Sequence, residues 1–404
     1  MKKWMSLLLA LVMVLMTFAG CGQAQESTEE AAGGTTGIFY EITGIPTEKT
    51  VMTVSGVPVT AEEYFYWMAY LCASLEYNII NYNAYYGMYA DLVNDDNTLN
   101  WNEEFQDSLT LAEYVREETE STIAFYTAIE LMAEKHNAGL DDADKATIVE
   151  NLNGAISELG GQEEFDAYLA KLGISQETFQ DMSASSHLFD NLLVQVLQEG
   201  SELYLAPEKY NNYATYADHI LFMTIDPTSG KPLSADLMGQ QRTLAEQTLA
   251  ALRESDDPIT LFSELADKYS EDTGRPNNPN GYIFTPGTMV ESFENAANAL
   301  EPGQISDIVE SDYGYHIILR KDLLEALDAD PEQRVSLAEK HLTALLGILS
   351  SEATVKIMDD VKDIDVGQFY SDYSVKAEEI AIANANTAGE KARAEAAAET
   401  EEAA

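Results

Sequence analysis

Two of the five histidines in this 404-residue chain head strand-like apolar runs: His219 in "ADHILF" and His316 in "YGYHIILR". An imidazole donates and accepts hydrogen bonds and titrates near neutrality. A histidine that opens a buried strand therefore either lines a cleft or is satisfied by a partner inside the core. The other three invite plainer readings. His136 falls in the last turn of a helical pattern, where it suits the negative end of the helix dipole. His187 lies on a helix with no second ligand at metal spacing, which makes it structural. His341 sits mid-helix and is expected to face solvent. Cys72, inside "WMAYLCASL", reads as a small core residue. The acidic loop "YYGMYADLVNDDNTLNW" lacks the glycine and terminal glutamate of a calcium-binding loop, so no metal site is expected there.

The elements that must position these side chains belong to a folded, strongly acidic protein. An apolar fraction of 46% and 404 residues allow two or three cores. Seventy acidic against 22 basic residues give a formal charge of −48, which repels nucleic acid and excludes DNA or RNA as a partner. The start, "MKKWMSLLLALVMVLMTFAGCGQ", has the basic, apolar and small-residue order of an export signal, and is too short and wrongly flanked for a membrane span. Cys72 is the only cysteine besides Cys21, so no internal disulfide is expected after processing.

Residues 22–47 read as a flexible linker of Gln, Glu, Thr and Gly, and residues 371–404 as a disordered Ala/Glu-rich tail. Within 48–206, "KTVMTVSGVPVTAEEY" predicts strand, turn and strand entering a helix capped by Thr60 with Glu63. Further helices are expected at about Ala143–Leu159, Gln162–Leu172 and Ser175–Gln198. From Pro207 to residue 321 the pattern becomes strand, helices, strand, helix, strand, with Ser234 capping one helix and Pro258 opening another. A helix with Asp330 as cap and a short strand "ATVKI" follow within 322–370. The fold class is α+β: a mostly helical body from the N- and C-terminal segments, with a small sheet and its flanking helices inserted.

The ordered phrases "ADHIL", "FSELADKYSED", "NGYIFTPGTMVESFENAANAL" and "EPGQISDIVESDYGYHIIL" resemble the parvulin family of peptidyl-prolyl cis–trans isomerases. With the signal, the helices and "TVSGVPVTAEEY", the whole resembles extracytoplasmic foldase lipoproteins of the PrsA type, and Ala19-Gly20-Cys21 resembles a lipobox. The resemblance implies a lipidated Cys21, a location at the outer face of the cytoplasmic membrane, and a chaperone-like body around a parvulin domain. It implies His219 and His316 as paired active-site histidines and Asp272 at a position where family members carry cysteine or aspartate. Ser311 completes the polar cluster, and Met289, Phe293 and Phe284 line a pocket for the substrate proline. No cofactor and no metal are implied, because rotation about an amide needs neither. The partners implied are unfolded or partly folded exported proteins with X–Pro bonds; whether the chain forms a homodimer is left open.

Departures from the family pattern are also visible. "NNPNGYIF" keeps one glycine, Gly281, of a glycine-rich loop; Tyr313 stands where some members have a small hydroxyl residue. No basic cluster follows "ADHILF", which argues against phosphate-reading specificity. The altered loop leaves an alternative: a holdase whose parvulin unit binds peptides with little turnover. A solute-binding lipoprotein would need two lobes of alternating strands and helices, which the helical flanks do not provide. If the body closes across the insertion, the strand near Val355 should pair with the one near Val51.

Overall fold

The computed structural model of the chain describes residues 37–402, so the export signal, Cys21 and the first part of the expected linker lie outside the described residues. The first element is a short helix, α1 (Ile38–Thr43), stopped by Gly44 in the left-handed conformation. Ile38 and Phe39 are buried, and Phe39 stacks on Phe369 and Tyr373 with ring centroids 6.1 and 5.8 Å apart. This corrects the reading of a flexible linker through residue 47. Averaged over a polar, glycine-rich window, two side chains that bury completely left no trace.

Strands β1 (Thr50–Val54) and β2 (Val57–Thr60) form the expected hairpin. Ser55 and Gly56 both take positive φ, 51° and 93°, matching the twist of a two-residue turn. Thr60 then caps α2 (Ala61–Tyr86), accepting from the Glu63 N–H at 3.2 Å. A small hairpin of β3 (Glu104–Gln106) and β4 (Leu109–Thr110) precedes α3 (Leu111–Lys135). Three helices follow, α4 (Asp142–Leu159), α5 (Gln162–Leu172) and α6 (Gln176–Leu197), within a residue or so of their expected bounds. Gly160 and Gly173, both at positive φ, end α4 and α5. His187 lies 3.9 Å from Asp144, in keeping with a structural role.

After a 3₁₀ turn at Pro207–Asn212 comes the long strand β5 (Thr215–Met223), then α7 (Ala235–Glu254) and α8 (Pro258–Tyr269). Strand β6 (Tyr282–Phe284), helix α9 (Glu291–Asn298), strand β7 (Val309–Ser311) and strand β8 (Gly314–Arg320) complete an antiparallel sheet in the order β6-β5-β8-β7. Strict alternation gives the two faces of β5 and β8 different partners. Ile220, Phe222, Tyr315, Ile317 and Leu319 pack on Leu249, Leu252, Phe262 and Ala266 from α7 and α8. Ala217 and Ile318 pack on the other side with Phe284, Phe293 and Ala297.

Helices α10 (Leu323–Ala329) and α11 (Pro331–Ser351) follow. His341 of α11 does not face solvent as expected: it is half-buried, and its Nδ1 lies 2.5 Å from the Tyr213 hydroxyl. Burial and neighbouring Lys209 push its imidazole pKa down. Strand β9 (Val355–Ile357) pairs antiparallel with β1, Met52 opposite Ile357 and Val54 opposite Val355, as expected for a body closed across an insertion. After α12 (Asp359–Lys362) the chain ends in α13 (Val366–Glu402). Arg116 of α3 donates to the carbonyls of Val361 and Ile364 at 2.8 and 2.6 Å. Phe369, Tyr370 and Ala377 are buried in the core with Phe39, Phe65 and Trp67, and Tyr373 and Ile380 pack against it. A disordered tail from residue 371 is thereby corrected: the apolar stripe at helical spacing straddles the boundary at which composition turns to Ala and Glu.

Residues Leu193–Ala344 form one compact unit, and the described residues on either side form the other. The inserted unit is wider than the expected 207–321. Leu205 N–H is tied to the Val196 carbonyl at 2.9 Å, and α10 packs on the 3₁₀ turn at Pro207–Asn212, so both flanks are drawn into it.

Candidate active site

Neighbouring strands bring the two histidines together. In the β5–β8 ladder His219 lies opposite Ile318 and His316 opposite Leu221, which makes the histidines diagonal neighbours on one face, within reach of long side chains. Their rings are nearly parallel, 11° apart with centroids at 5.3 Å, and the two Nδ1 atoms are separated by 3.1 Å. Both are buried, at 9% and 4% exposure.

Asp272 arrives from the segment after α8, which is laid along β5 by main-chain ties. The Glu271 N–H donates to the Leu221 carbonyl at 2.8 Å, and the Leu221 N–H donates to the Ser270 hydroxyl at 3.1 Å. Asp272 Oδ2 then lies 3.2 Å from His219 Nε2 and 2.5 Å from the Tyr282 hydroxyl, while Oδ1 accepts from the Gly274 N–H at 3.0 Å. Burial opposes its ionisation, but the hydrogen bonds from His219, Tyr282 and Gly274 outweigh burial and hold the carboxyl well below the usual carboxylate range. Tyr282 is shifted the opposite way, by burial and by the Asp272 charge, so its hydroxyl stays protonated and donates. On the far side, Ser311 Oγ in the β7–β8 hairpin is 2.7 Å from His316 Nε2. Burial and proximity to His219 push the His316 imidazole down to about 3, so it is neutral near pH 7.

These roles set the direction of the chain of hydrogen bonds. An ionised Asp272 only accepts, so His219 Nε2–H donates to it. The two Nδ1 atoms share the bond between the rings, and Ser311 Oγ bonds His316 Nε2. Every member is satisfied, as a buried polar network requires.

The apolar residues expected beside this cluster are present. The Phe293 ring is 5.1 Å from that of His219 and 5.4 Å from that of His316, at 74° and 65°. Phe284 packs on Phe293 at 5.9 Å, and Met289 packs against the same cluster. The structure thus brings together His219, His316, Asp272, Ser311, Phe293 and Phe284, with Met289 at the edge of the apolar part. Tyr313 remains outside, 48% exposed.

Two features escaped the sequence reading. Tyr282 stands two residues before Phe284, and the period of two puts both on one face. Arg275 is buried and clamps Asp218, next to His219, at 2.8 Å, and Asp267 at 2.7 Å; nothing local in the sequence marks that pairing. The retained glycine proves necessary. Gly281 sits at φ +93°, and a Cβ there would come within 2.5 Å of the Ala217 carbonyl oxygen.

Comparison with known proteins adds to this geometry. Residues 219–322 match the family model described as a PPIC-type PPIase (rotamase) domain. The chain is 26% identical over 190 residues to the foldase protein PrsA of Staphylococcus epidermidis, covering 46% of this chain and 54% of that protein. It is 30% identical over 225 residues to PrsA of Halalkalibacterium halodurans, covering 53% and 62%. The match thus spans less than two thirds of either relative. A crystal structure of the Bacillus cereus PrsA isomerase aligns at 20% identity over 66% of this chain and 95% of that one, with a TM-score of 0.32. Residues 219–322 form a PPIC-type peptidyl-prolyl cis–trans isomerase (rotamase) domain, and the chain that carries it is similar to PrsA foldases.

Proposed function

We propose that the protein is a foldase: it accelerates cis–trans isomerisation of X–Pro bonds in exported polypeptides, held by a lipidated Cys21 at the outer face of the cytoplasmic membrane. What carries the reading is the joining of His219, His316 and Asp272 into one hydrogen-bonded row against Phe293. An X–Pro amide turns over in about tens to hundreds of seconds unaided, because resonance keeps it planar. The enzyme needs only to bind the twisted amide better than either planar form. In this proposal Phe293, Phe284 and Met289 grip the pyrrolidine ring and exclude water from the carbonyl, which weakens the resonance. The His219–His316 row, oriented by Asp272 and Ser311, faces the rotating amide with a fixed pattern of donors and acceptors. No bond is made or broken, so no nucleophile is required.

Among the described residues no helix is long and apolar enough to cross a membrane; the proposed attachment is through lipid on Cys21. The remaining described residues, around an aromatic core that joins both ends of the chain, are assigned a chaperone role toward unfolded clients, in keeping with the foldase relatives.

The test is exchange NMR on an Ala-Pro peptide with the full chain. The unmutated protein should catalyse exchange, and His219→Ala and Asp272→Ala should each lower the rate by about tenfold or more. A parent protein with no turnover would replace the enzyme by a peptide-binding holdase.

A further inference from the structure

The C-terminal end of α2 carries a surface that the isomerase chemistry does not use. Fifteen large apolar or aromatic side chains are exposed among the described residues, and five of them fall between positions 77 and 88. Tyr77, Tyr85 and Tyr86 are 72%, 80% and 71% exposed, and Tyr82 and Met88 are each 49% exposed. Three of them are contiguous: the rings of Tyr82 and Tyr86 lie 5.9 Å apart and those of Tyr85 and Tyr86 6.4 Å apart. Single exposed apolar residues need no explanation, but a clustered aromatic patch marks a contact surface.

The setting of the patch selects its occupant. From residue 50 to residue 115 the chain has no Lys, Arg or His, and it carries ten Asp and Glu. The loop after the helix is folded back on it, since Leu92 and Leu99 bury against Ile79 and Leu111 with Ile80 and Val93 packed around them. Asp91, Asp95 and Asp96, on the loop that follows the tyrosines in sequence, stay exposed. Aromatic faces rimmed by carboxylates attract ammonium and guanidinium groups. A second copy of this chain, itself at −48, meets like charge there, and so does an anionic membrane.

We infer that this tyrosine patch is a docking surface for extended, Lys- and Arg-bearing segments of unfolded polypeptides. The inference rests on the foldase reading and gives it a client class: cationic exported chains, held at a site separate from the one that turns over proline bonds. Exposed tyrosines suit such a task, because they supply large contact area at low entropic cost and tolerate many sequences.

The test titrates the full chain with a labelled, proline-free, unstructured Lys/Arg-rich peptide and with its Glu-substituted counterpart, by fluorescence anisotropy at low and physiological salt. The cationic peptide should bind and the acidic one should not. The triple variant Tyr82→Ser/Tyr85→Ser/Tyr86→Ser should bind about tenfold more weakly or worse, and the corresponding Phe triple should retain binding. Thermal unfolding of each variant checks that these exposed changes leave the fold intact. Equal binding by parent and Ser triple overturns the inference, as does equal binding of both peptides. Sedimentation showing self-association that the Ser triple abolishes would assign the patch to a second copy instead. Turnover of an Ala-Pro peptide is followed in parallel. Its absence with tyrosine-dependent binding intact breaks the isomerase reading and leaves this surface standing; its presence with tyrosine-independent binding breaks the surface alone.

Discussion

The two faces of the β5–β8 ladder are built from alternate residues of the same two strands, yet they do opposite work. One face is closed by α7 and α8, 20 and 12 residues long, which pack on Ile220, Phe222, Ile317 and Leu319. The other is covered by α9, of only eight residues, which shields Ile318 and sets the single ring of Phe293 against both histidines. Polar groups from the segment after α8 and from the edge strands β6 and β7 complete this face: Asp272, Tyr282 and Ser311. The difference teaches that the polar cluster gathers where the sheet is covered by one short helix, while the opposite face supplies the rigidity that fixes ring against ring.

That division can be broken or sharpened. Removing a ring from the closed face should have the largest effect: Phe222→Ala should lower unfolding free energy by about 3–5 kcal/mol in a urea titration, with turnover per folded molecule unchanged. Loss of turnover at unchanged stability would invert the comparison. Gly281→Ala strikes the edge of the site face, forcing a Cβ toward the Ala217 carbonyl at positive φ. A loss of about 2 kcal/mol or more is expected in the same titration.

The pH dependence isolates the histidine row. Burial, reinforced by His219, lowers the folded-state value of His316 to about 3, whereas an unfolded histidine titrates near about 6.5. As pH falls the unfolded state takes up the proton first, so stability is whole above about 6.5 and drains as pH drops toward about 3. A loss of about 5 kcal/mol over that window is expected, and His316→Gln should flatten it. Asp272, whose folded value is also depressed, adds a loss that begins only below about pH 4. The smallest effect should come from Tyr282→Phe, which removes one donor to Asp272. Turnover should drop about two- to fivefold, and the acid limb assigned to Asp272 should move to higher pH.

Much of this architecture was legible because its signals are local. Helices α4 and α5 could be bounded closely by their periodicity. The parvulin resemblance placed His219, His316, Asp272, Ser311 and the aromatic pocket residues on segments far apart in sequence, and the sheet register then joins them. What was illegible depends on contacts distant in the chain. Helix α1 has six residues, too few to show a period, and exists because Phe39 finds Phe369 and Tyr373. The buried start of α13 was masked by the Ala/Glu composition that follows. Arg275 and Asp218 pair across 57 positions, and neither residue is unusual where it stands.

The pairing of β1 with β9 bears on how the protein is made. Met52 meets Ile357, so during synthesis or export the sheet waits for its last strand until the whole intervening unit has emerged. Bringing such distant segments together through an unfolded loop is slow and leaves an edge of β1 unprotected meanwhile. If Leu193–Ala344 folds first, it shortens the effective loop before the ends must meet. The inserted unit would then act as the scaffold that lets its own host finish folding, and a chain truncated before residue 355 should leave the host incomplete with the insert already formed.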